Sequence, residues 1–160
     1  PAFVPDGTVT AGNAPGLNDG AAAVVVASEA AVRRYGLRPL ARVTGYASAA
    51  VEPLWLFDAP PIAIRKVLAQ TGLALADFDL LEVNEAFAAQ VLANAQVLDW
   101  DPARVNVHGG AIALGHPLGA TGARILVTLL HALRQHGGRR GLAALCHGGG
   151  GAVVLAVELV

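Results

Sequence analysis

Residues 80–98, LLEVNEAFAAQVLANAQVL, place a short apolar run directly before a stretch of helical composition. The run from Leu80 to Val83 predicts a buried strand, and the residues from about Ala86 to Leu98 predict a helix. Asn84 lies at the junction between them. A strand that leads without a linker into a helix is typical of an α/β domain.

The alternation of strand and helix continues on both sides of this stretch. Apolar, β-branched runs predict further strands, while apolar spacing, capping residues and terminal glycines predict helices. The additional predicted strands are 21–27, 40–47, 142–146 and 152–159, with a brief one at 105–107, and the additional helices are 29–35, 60–70 and 119–135. We therefore predict an α/β fold with a mixed, mostly parallel five-stranded sheet and helices on both faces. Residues 21–160 form this domain, and residues 1–20 precede it as a loop arm.

Composition limits the classes of function. Hydrophobic residues make up 54% of the chain, charged residues 14%, and the net charge is −1. This charge argues against nucleic acid as a partner, and no apolar run is long enough to predict a membrane span. The single cysteine excludes an internal disulfide and fits a reducing compartment, which predicts a cytoplasmic protein. The apolar excess predicts that part of the surface is buried against another half or another subunit, as in a homo-oligomer.

His116 is the first candidate for chemistry. It stands in the glycine-rich segment 109–117, GGAIALGHP, just before a helix that should start near Gly119. A helix N-terminus disfavours imidazolium, and a neutral imidazole can act as a base or bind a carbonyl oxygen. The alternative is a histidine that only fills a turn.

Cys146 ends a predicted strand, and four glycines, residues 148–151, follow one residue later. Ligands of open α/β sheets bind at strand ends, and the N–H groups of glycines can point at a developing oxyanion. The thiol could act as a nucleophile or as an acid and base once its pKa is lowered. The alternative is a small buried residue before a tight hairpin.

Asn84 also ends a strand and begins a helix. Its amide either caps that helix or holds a water molecule or a carbonyl oxygen. Glu85 is expected in the first helical turn, where an acid is favoured.

A metal site was tested on four residues that could converge, namely His108, His116, Cys146 and His147. Their spacing matches no known zinc motif, so no metal is predicted. A phosphate-binding loop ending in Gly-Lys-Ser/Thr is also absent from the sequence, and no cofactor is predicted.

Three motifs in this order resemble the C-terminal half of the thiolases, the family of acetyl-CoA acetyltransferases and 3-ketoacyl-CoA thiolases. They are NEAF at 84–87, GGAIALGHP at 109–117 and CHGGGG at 146–151, and the resemblance begins at GTVTAGN, residues 7–13. It implies an acyltransferase of the acetyl-CoA C-acetyltransferase type, which makes or cleaves acetoacetyl-CoA or another 3-ketoacyl-CoA in lipid metabolism, including fatty acid beta-oxidation. It also implies a coenzyme A thioester as the substrate.

The resemblance implies a role for each matching residue. His116 would activate a nucleophilic cysteine of the N-terminal half and, with a water held by Asn84, would form one oxyanion hole. Cys146 would move the α-proton of acetyl-CoA, and the N–H of Gly148 would belong to the second oxyanion hole. The pantetheine channel would be lined by Ala86, Phe87, Pro15, Gly16, Phe3 and Leu56.

This chain departs from the family pattern in several places. Pro15 stands where some members have serine, His108 where asparagine is frequent, and His147 where isoleucine or asparagine is frequent. Only the second half of the two-half family pattern is matched, and the sequence has no methionine. We therefore expect an isolated chain that is inactive until an N-terminal half or a partner subunit supplies the nucleophilic cysteine. The alternatives are a non-catalytic module that pairs with a partner chain or binds acyl-CoA, and an inert fragment.

Overall fold

The computed structural model describes residues 3–160. Its elements, in chain order, are α1 (Glu29–Tyr35), β1 (Ala41–Ala50), α2 (Ala59–Thr71), β2 (Leu80–Val83), α3 (Ala88–Leu98), α4 (Ala111–Leu114), α5 (Thr121–His136), β3 (Arg140–His147) and β4 (Gly151–Leu159). Short 3-10 helices at Pro53–Asp58, Leu75–Asp77 and Pro102–Arg104 lie between them. Within the described range, none of the helices is long and apolar enough to cross a membrane.

The sheet in residues 3–160 has four strands, in the order β1-β4-β3-β2. Strands β2 and β3 are parallel, whereas β4 pairs antiparallel with both β1 and β3. The prediction of a five-stranded, mostly parallel sheet is therefore wrong in strand number and in strand direction. A glycine turn, residues 148–150, joins β3 to β4, and a turn this short can connect only antiparallel neighbours.

The predicted strand at residues 21–27 does not form. The segment belongs to no ladder in the described chain, and most of its side chains are exposed, with Val25 at 94% and Val26 at 83%. A continuous apolar run is stable as a strand only when neighbours pair its backbone and cover both of its faces. No residue within 3–160 supplies that cover.

Two hydrophobic clusters lie on opposite faces of the sheet. Alternation along β2 turns Leu81 and Val83 toward one face, where α2 packs through Ile64. The same alternation turns Leu80 toward the other face, where α5 packs through Leu129. Helices therefore pack on both faces of the sheet, as expected.

The ends of the main helices follow the capping residues of the sequence. The Oγ of Ser28 accepts a hydrogen bond from the N–H of Ala31 and caps α1 (3.2 Å). Helices α1, α2 and α5 each end at a glycine in the left-handed conformation, namely Gly36, Gly72 and Gly137. Glycine adopts this conformation without the steric cost of a side chain.

Two elements are shorter than predicted. The helix after NEAF begins at Ala88, two residues later than expected, because Phe87 is extended with φ −155°. Residues 105–107 form no strand and contribute one isolated bridge, from Val105 to Leu81.

One part of the sheet has no helix over it. Helix α5 packs mainly against β2 and β3, and on the same face β1 and β4 expose Val43, Tyr46 and Val153. An open groove of about 720 Å³ lies here, lined in part by Tyr46, Lys66 and Leu145. This is the apolar surface for which the composition predicts burial against another half or subunit.

Candidate active site

Asn84 lies at the carboxyl end of β2, where its main-chain N–H donates to the carbonyl oxygen of Ala144 in β3 (2.9 Å). The residue is 1% exposed. Its Nδ2 atom is 3.5 Å from Nε2 of His116, and its Oδ1 atom has no hydrogen-bond partner. A buried amide oxygen without a protein partner is suited to accept a hydrogen bond from water or from a ligand.

The amide of Asn84 does not cap α3. The N-cap position is occupied by Phe87, and no side chain bonds to the first turn there. The N–H of Ala86 instead donates to Oε1 of Gln90 (3.1 Å). Of the two alternatives for Asn84, the structure excludes the helix cap and leaves its amide facing His116.

The backbone around His116 is held by the N-terminal arm. The N–H of His116 is shared between the carbonyl oxygen of Gly16 (3.1 Å) and Oδ1 of Asn18 (3.2 Å). Gly115 has φ +100°, and a Cβ there would overlap the Asn18 carboxamide, so this position requires glycine. The arm therefore packs directly on the loop that carries the histidine.

The imidazole of His116 is oriented by a residue that the sequence did not single out. Its Nδ1 atom lies 2.7 Å from Oγ1 of Thr121, a fully buried residue in the first turn of α5. The hydroxyl of Thr121 donates to the carbonyl oxygen of Pro117 (3.0 Å). The only signal in the sequence was a hydroxyl five positions after the histidine, on the helix that the histidine precedes.

The surroundings of His116 favour its uncharged form. Burial lowers the pKa of the imidazole, and the Arg124 guanidinium lowers it further. Since the ordinary pKa of histidine is about 6.5, both effects favour the neutral ring. The helix N-terminus was expected to favour the neutral ring, and burial and Arg124 act in the same direction.

Behind this site, Glu82 and Arg124 form a buried ion pair between β2 and α5. Their closest atoms, Oε2 and Nη1, are 3.7 Å apart, and the side chains are 2% and 20% exposed. Burial raises the pKa of Glu82 to about 7, while Arg124 opposes and Glu85 reinforces that shift. The signal for this pair in the sequence is a glutamate in an otherwise apolar strand.

Glu85 joins two of the motifs. Its Oε2 accepts a hydrogen bond from the N–H of Ile112 at the start of α4 (2.9 Å), and its Oε1 accepts one from Nδ2 of Asn106 (3.4 Å). A Cβ at Gly110 would overlap the carboxylate, so glycine is needed where it packs. The prediction that Glu85 lies in the first turn of the following helix is wrong, since it precedes that helix and binds the next one.

Cys146 lies two residues beyond Ala144 on β3 and is therefore near the same edge of the sheet as Asn84. It pairs with Ala152 of β4 and is partly buried. Burial raises the pKa of the thiol, and a backbone hydrogen bond acts in the opposite direction. The lowered pKa on which a role for this thiol was made conditional is therefore not found in the chain as described, and burial favours the protonated thiol.

The glycines after Cys146 differ in whether the structure would tolerate a side chain at their position. Gly149 and Gly150 have φ +87° and +85°, and a Cβ at Gly150 would overlap the carbonyl oxygen of Val51. Gly148 is exposed, and a Cβ there would meet no other atom within 4 Å. The space around Gly148 is therefore open, as an oxyanion-binding N–H needs.

The residues expected to line a pantetheine channel fall into two groups. The ring of Phe87 packs edge-on against Phe3 and Phe57, with centroids 6.0 Å and 5.7 Å away. Phe57 was not predicted, although it neighbours Leu56 in the same 3-10 helix. Pro15 and Gly16 lie in the arm, which is tied to α3 by a bond from the N–H of Ala88 to the carbonyl oxygen of Asn13 (3.0 Å).

The four residues tested for a metal site do not form one cluster. His108 lies beside His136, with 3.4 Å between their Nε2 atoms, and His147 contacts the carbonyl oxygen of Gly148. Among residues 3–160, no group of three or more His, Cys, Asp or Glu side chains is arranged to hold a metal ion.

Comparison with known protein families assigns the chain to one of them. Residues 37–159 match the family model described as "Thiolase, C-terminal domain", and residues 1–30 match "Thiolase, N-terminal domain". The chain belongs to the thiolase family. The match to the N-terminal model includes the apolar segment 21–27, which has no pairing partner in the sheet described above.

Curated relatives of this thiolase chain include two proteins named acetyl-CoA acetyltransferase. The one from Chromobacterium violaceum is 56% identical over 99% of the chain, which covers 40% of that relative. The one from Escherichia coli K12 is also 56% identical, with the same coverage. The thiolase chain thus spans about two fifths of the length of these relatives.

Solved structures show that the thiolase chain has the thiolase fold. The crystal structure of Bacillus anthracis acetyl-CoA acetyltransferase matches with a TM-score of 0.97 at 52% identity, over the whole chain and 41% of that protein. Human mitochondrial 3-ketoacyl-CoA thiolase in complex with CoA matches with a TM-score of 0.92 at 43% identity, with the same coverage.

Proposed function

We propose that this chain is the C-terminal catalytic half of an acetyl-CoA C-acetyltransferase, which makes or cleaves acetoacetyl-CoA by Claisen chemistry. The observation that carries the proposal is the contact between Asn84 and His116, in which a buried amide with an unpartnered Oδ1 faces an uncharged imidazole. Both residues stand in motifs of the family to which the chain belongs.

In the first half-reaction, His116 acts as the base. Its Nε2 accepts the proton of a nucleophilic cysteine supplied by the N-terminal half, and the thiolate attacks the thioester carbonyl. The C–S bond to CoA breaks, the departing CoA sulfur takes the proton of the Cys146 thiol, and the acyl group is transferred to the nucleophilic cysteine. A water held by Oδ1 of Asn84, together with protonated Nε2, stabilises the oxyanion of the tetrahedral intermediate.

In condensation, Cys146 moves the α-proton. Its thiolate removes a proton from the methyl group of acetyl-CoA, and the N–H of Gly148 binds the enolate oxygen. The carbanion forms a C–C bond to the acyl carbon as the bond to the nucleophilic cysteine breaks. Thiolysis is the reverse reaction, in which Cys146 returns the proton to the α-carbon. A raised pKa suits the Cys146 thiol to donate that proton.

The substrate is a coenzyme A thioester, and the proposal includes no metal or other cofactor. The aromatic group of Phe3, Phe57 and Phe87 offers an apolar wall for the pantetheine arm, with Ala86, Leu56 and the arm residues Pro15 and Gly16 beside it. The chain carries only 11 Lys and Arg residues, of which Arg33-Arg34 and Arg139-Arg140 are pairs rather than a patch. We therefore assign the CoA phosphate contacts to the N-terminal half.

The partner in this proposal is an N-terminal thiolase half, as the same chain or a separate one, in a homo-oligomer. The uncovered face of β1 and β4 and the exposed segment 21–27 are apolar surfaces that such a half would bury. We place the assembled enzyme in the cytoplasm because its only described thiol is unpaired.

A second candidate is a non-catalytic module that pairs with a partner chain or binds acyl-CoA. The observation in its favour is that Cys146 is the only cysteine, so the two-thiol mechanism cannot run on these residues alone.

The purified 160-residue chain tests these proposals with acetyl-CoA condensation and acetoacetyl-CoA thiolysis assays, with its intact mass checked in the same sample. We expect no turnover from the chain alone and turnover when an N-terminal thiolase half is added. Turnover by the chain alone would contradict the two-thiol scheme. Specific acyl-CoA binding without turnover after addition of a folded N-terminal half would favour the module.

A further inference from the structure

A column of polar side chains crosses the otherwise apolar contact between β2 and α5. Glu82 lies on β2, and Asn84, directly after the strand and two residues further on, lies on the same face. Thr121 and Arg124 are three apart on α5 and share one face of the helix. Around them, β2 and α5 pack through apolar residues. Since buried polar groups are costly unless paired, and apolar residues fill such space at lower cost, this column calls for a role beyond stability.

The hydrogens around His116 fix which ring nitrogen is protonated. The hydroxyl hydrogen of Thr121 points to the carbonyl oxygen of Pro117 (3.0 Å), so Oγ1 is left to accept from Nδ1 of His116 at 2.7 Å. On the opposite side of the ring, Nδ2 of Asn84, which can only donate, faces Nε2 at 3.5 Å. These contacts favour a ring with its hydrogen on Nδ1 and a lone pair at Nε2.

Arg124, three residues after Thr121 on α5, brings a charge to this polar column. The Arg124 side chain is 20% exposed and lies 3.7 Å from a Glu82 carboxylate that is 2% exposed. Three atoms of this pair lack hydrogen-bond partners, namely Oε1 of Glu82 and Nε and Nη1 of Arg124. Glu82 is thus close enough to hold the Arg124 guanidinium in place, but it leaves much of the positive charge of Arg124 uncompensated.

We propose that α5 presets His116 as a base: Thr121 fixes the Nδ1–H tautomer, and Arg124, held by Glu82, keeps the ring uncharged. Thr121 and Arg124 are positioning residues, since they act on the reaction only through His116. This inference rests on the function proposed above, because that function is what makes His116 a catalytic base. The titratable groups on the elements around the ring include Arg124 of α5, Glu82 of β2, Glu85 of the loop after β2, Cys146 of β3 and Asp19 of the arm; further along, α5 also carries His131, Arg134 and His136, and β3 carries Arg140 and His147.

Histidine side-chain nitrogen NMR on the ¹⁵N-labelled 160-residue chain tests the inference without any assay of turnover. His116 is assigned by the signal that disappears in His116→Gln. We expect its Nδ1 to show the shift of a protonated nitrogen and its Nε2 that of a bare one at neutral pH. We also expect its pKa to lie below that of the same histidine in the urea-unfolded chain, because burial and Arg124 both lower it. An Nε2–H tautomer in the folded wild type would overturn the inference.

Variants separate the two positioning residues. Thr121→Val keeps the shape but removes the acceptor at Nδ1, so the Nε2–H form should become populated beside the Nδ1–H form, while Thr121→Ser should restore Nδ1–H. Thr128→Val is the matched control, because the Thr128 hydroxyl bonds only to the carbonyl oxygen of Arg124 on the same helix (3.1 Å). An unchanged tautomer in a folded Thr121→Val chain would refute the role of Thr121.

The double variant Glu82→Gln/Arg124→Gln tests the charge, since it removes both charges without leaving one buried alone. We expect the pKa of His116 to rise toward its value in the unfolded chain, and a titration midpoint equal to wild type would refute the role of Arg124. These results are independent of turnover. A confirmed tautomer in an enzyme without thiolase activity would leave this inference standing and reject the proposed function.

Discussion

Nε2 of His116 lies 3.5 Å from Nδ2 of Asn84, although the two residues are 32 positions apart in the sequence. Asn84 is placed by the end of β2, and His116 by the loop before α5. Glu85 sets their separation, because its carboxylate binds the N–H of Ile112 in the segment that leads to His116. The candidate site is thus the meeting point of two motifs joined by one carboxylate.

The first prediction concerns the amide of Asn84. In a complete enzyme containing this chain, Asn84→Ala should lower kcat on the order of 10²-fold with a small change in KM, because it removes a group that acts on the oxyanion. Steady-state kinetics of thiolysis measure this. Gln96→Ala, on the exposed side of α3, is the control and should match wild type. A loss confined to KM would show that Asn84 binds the ground state instead.

The second prediction concerns the reactivity of Cys146. Because burial raises the pKa of its thiol, the folded chain should contain less thiolate at pH 7 than free cysteine, whose pKa is about 8.5. Alkylation by iodoacetamide, followed by intact mass, should therefore be slower in the folded than in the urea-unfolded chain. The folded rate should continue to increase at pH values where the unfolded rate has levelled off. Faster reaction of the folded chain at pH 7 would mean a lowered pKa.

The third prediction concerns pH and stability through Glu82. Its pKa in the folded chain is about 7 against an ordinary value of 4.5, so the folded state holds a proton that the unfolded state releases. Stability from this group is present below pH 4.5 and is lost as the pH rises through 7, an effect of about 3 kcal/mol in total. Urea unfolding between pH 5 and 8 should show this loss in wild type, relative to Glu82→Gln. Parallel curves for the two proteins would contradict the raised pKa.

The fourth prediction compares two glycines of the turn after Cys146. Gly150→Ala should destabilise the fold by at least about 1–3 kcal/mol, since φ is +85° and the new Cβ would overlap the carbonyl oxygen of Val51. Gly148→Ala should change stability little, because its Cβ would meet open space. Thermal unfolding of both variants checks this. Equal losses at the two positions would show that the turn is not held as described.

Much of this fold could be predicted from local sequence. Glycines at 36, 72 and 137 marked helix ends, and apolar runs marked β1 to β4, because these signals act within a few residues. Strand direction could not be read in this way, since it depends on which strand lies beside which. Residues 21–27 show the same limit, because an apolar run becomes a strand only when a neighbour pairs with it.

The site was predictable only in part. The motifs named Asn84, His116 and Cys146, but Thr121, Arg124 and Glu82 act through packing between β2 and α5, which the sequence does not display. From the sequence, a role for Cys146 was conditional on a lowered pKa, whereas burial raises that pKa. Both points have one cause, which is that burial depends on the tertiary fold.

The most direct test joins residues 1–160 to the N-terminal part of Escherichia coli acetyl-CoA acetyltransferase, a relative that is 56% identical to this chain. Thiolysis of acetoacetyl-CoA is then measured for the chimera and for its Cys146→Ala variant, with folding and assembly checked for both. The account predicts turnover by the chimera and a loss of several orders of magnitude in Cys146→Ala. A folded chimera without turnover, or a Cys146→Ala variant of near-normal activity, would contradict it.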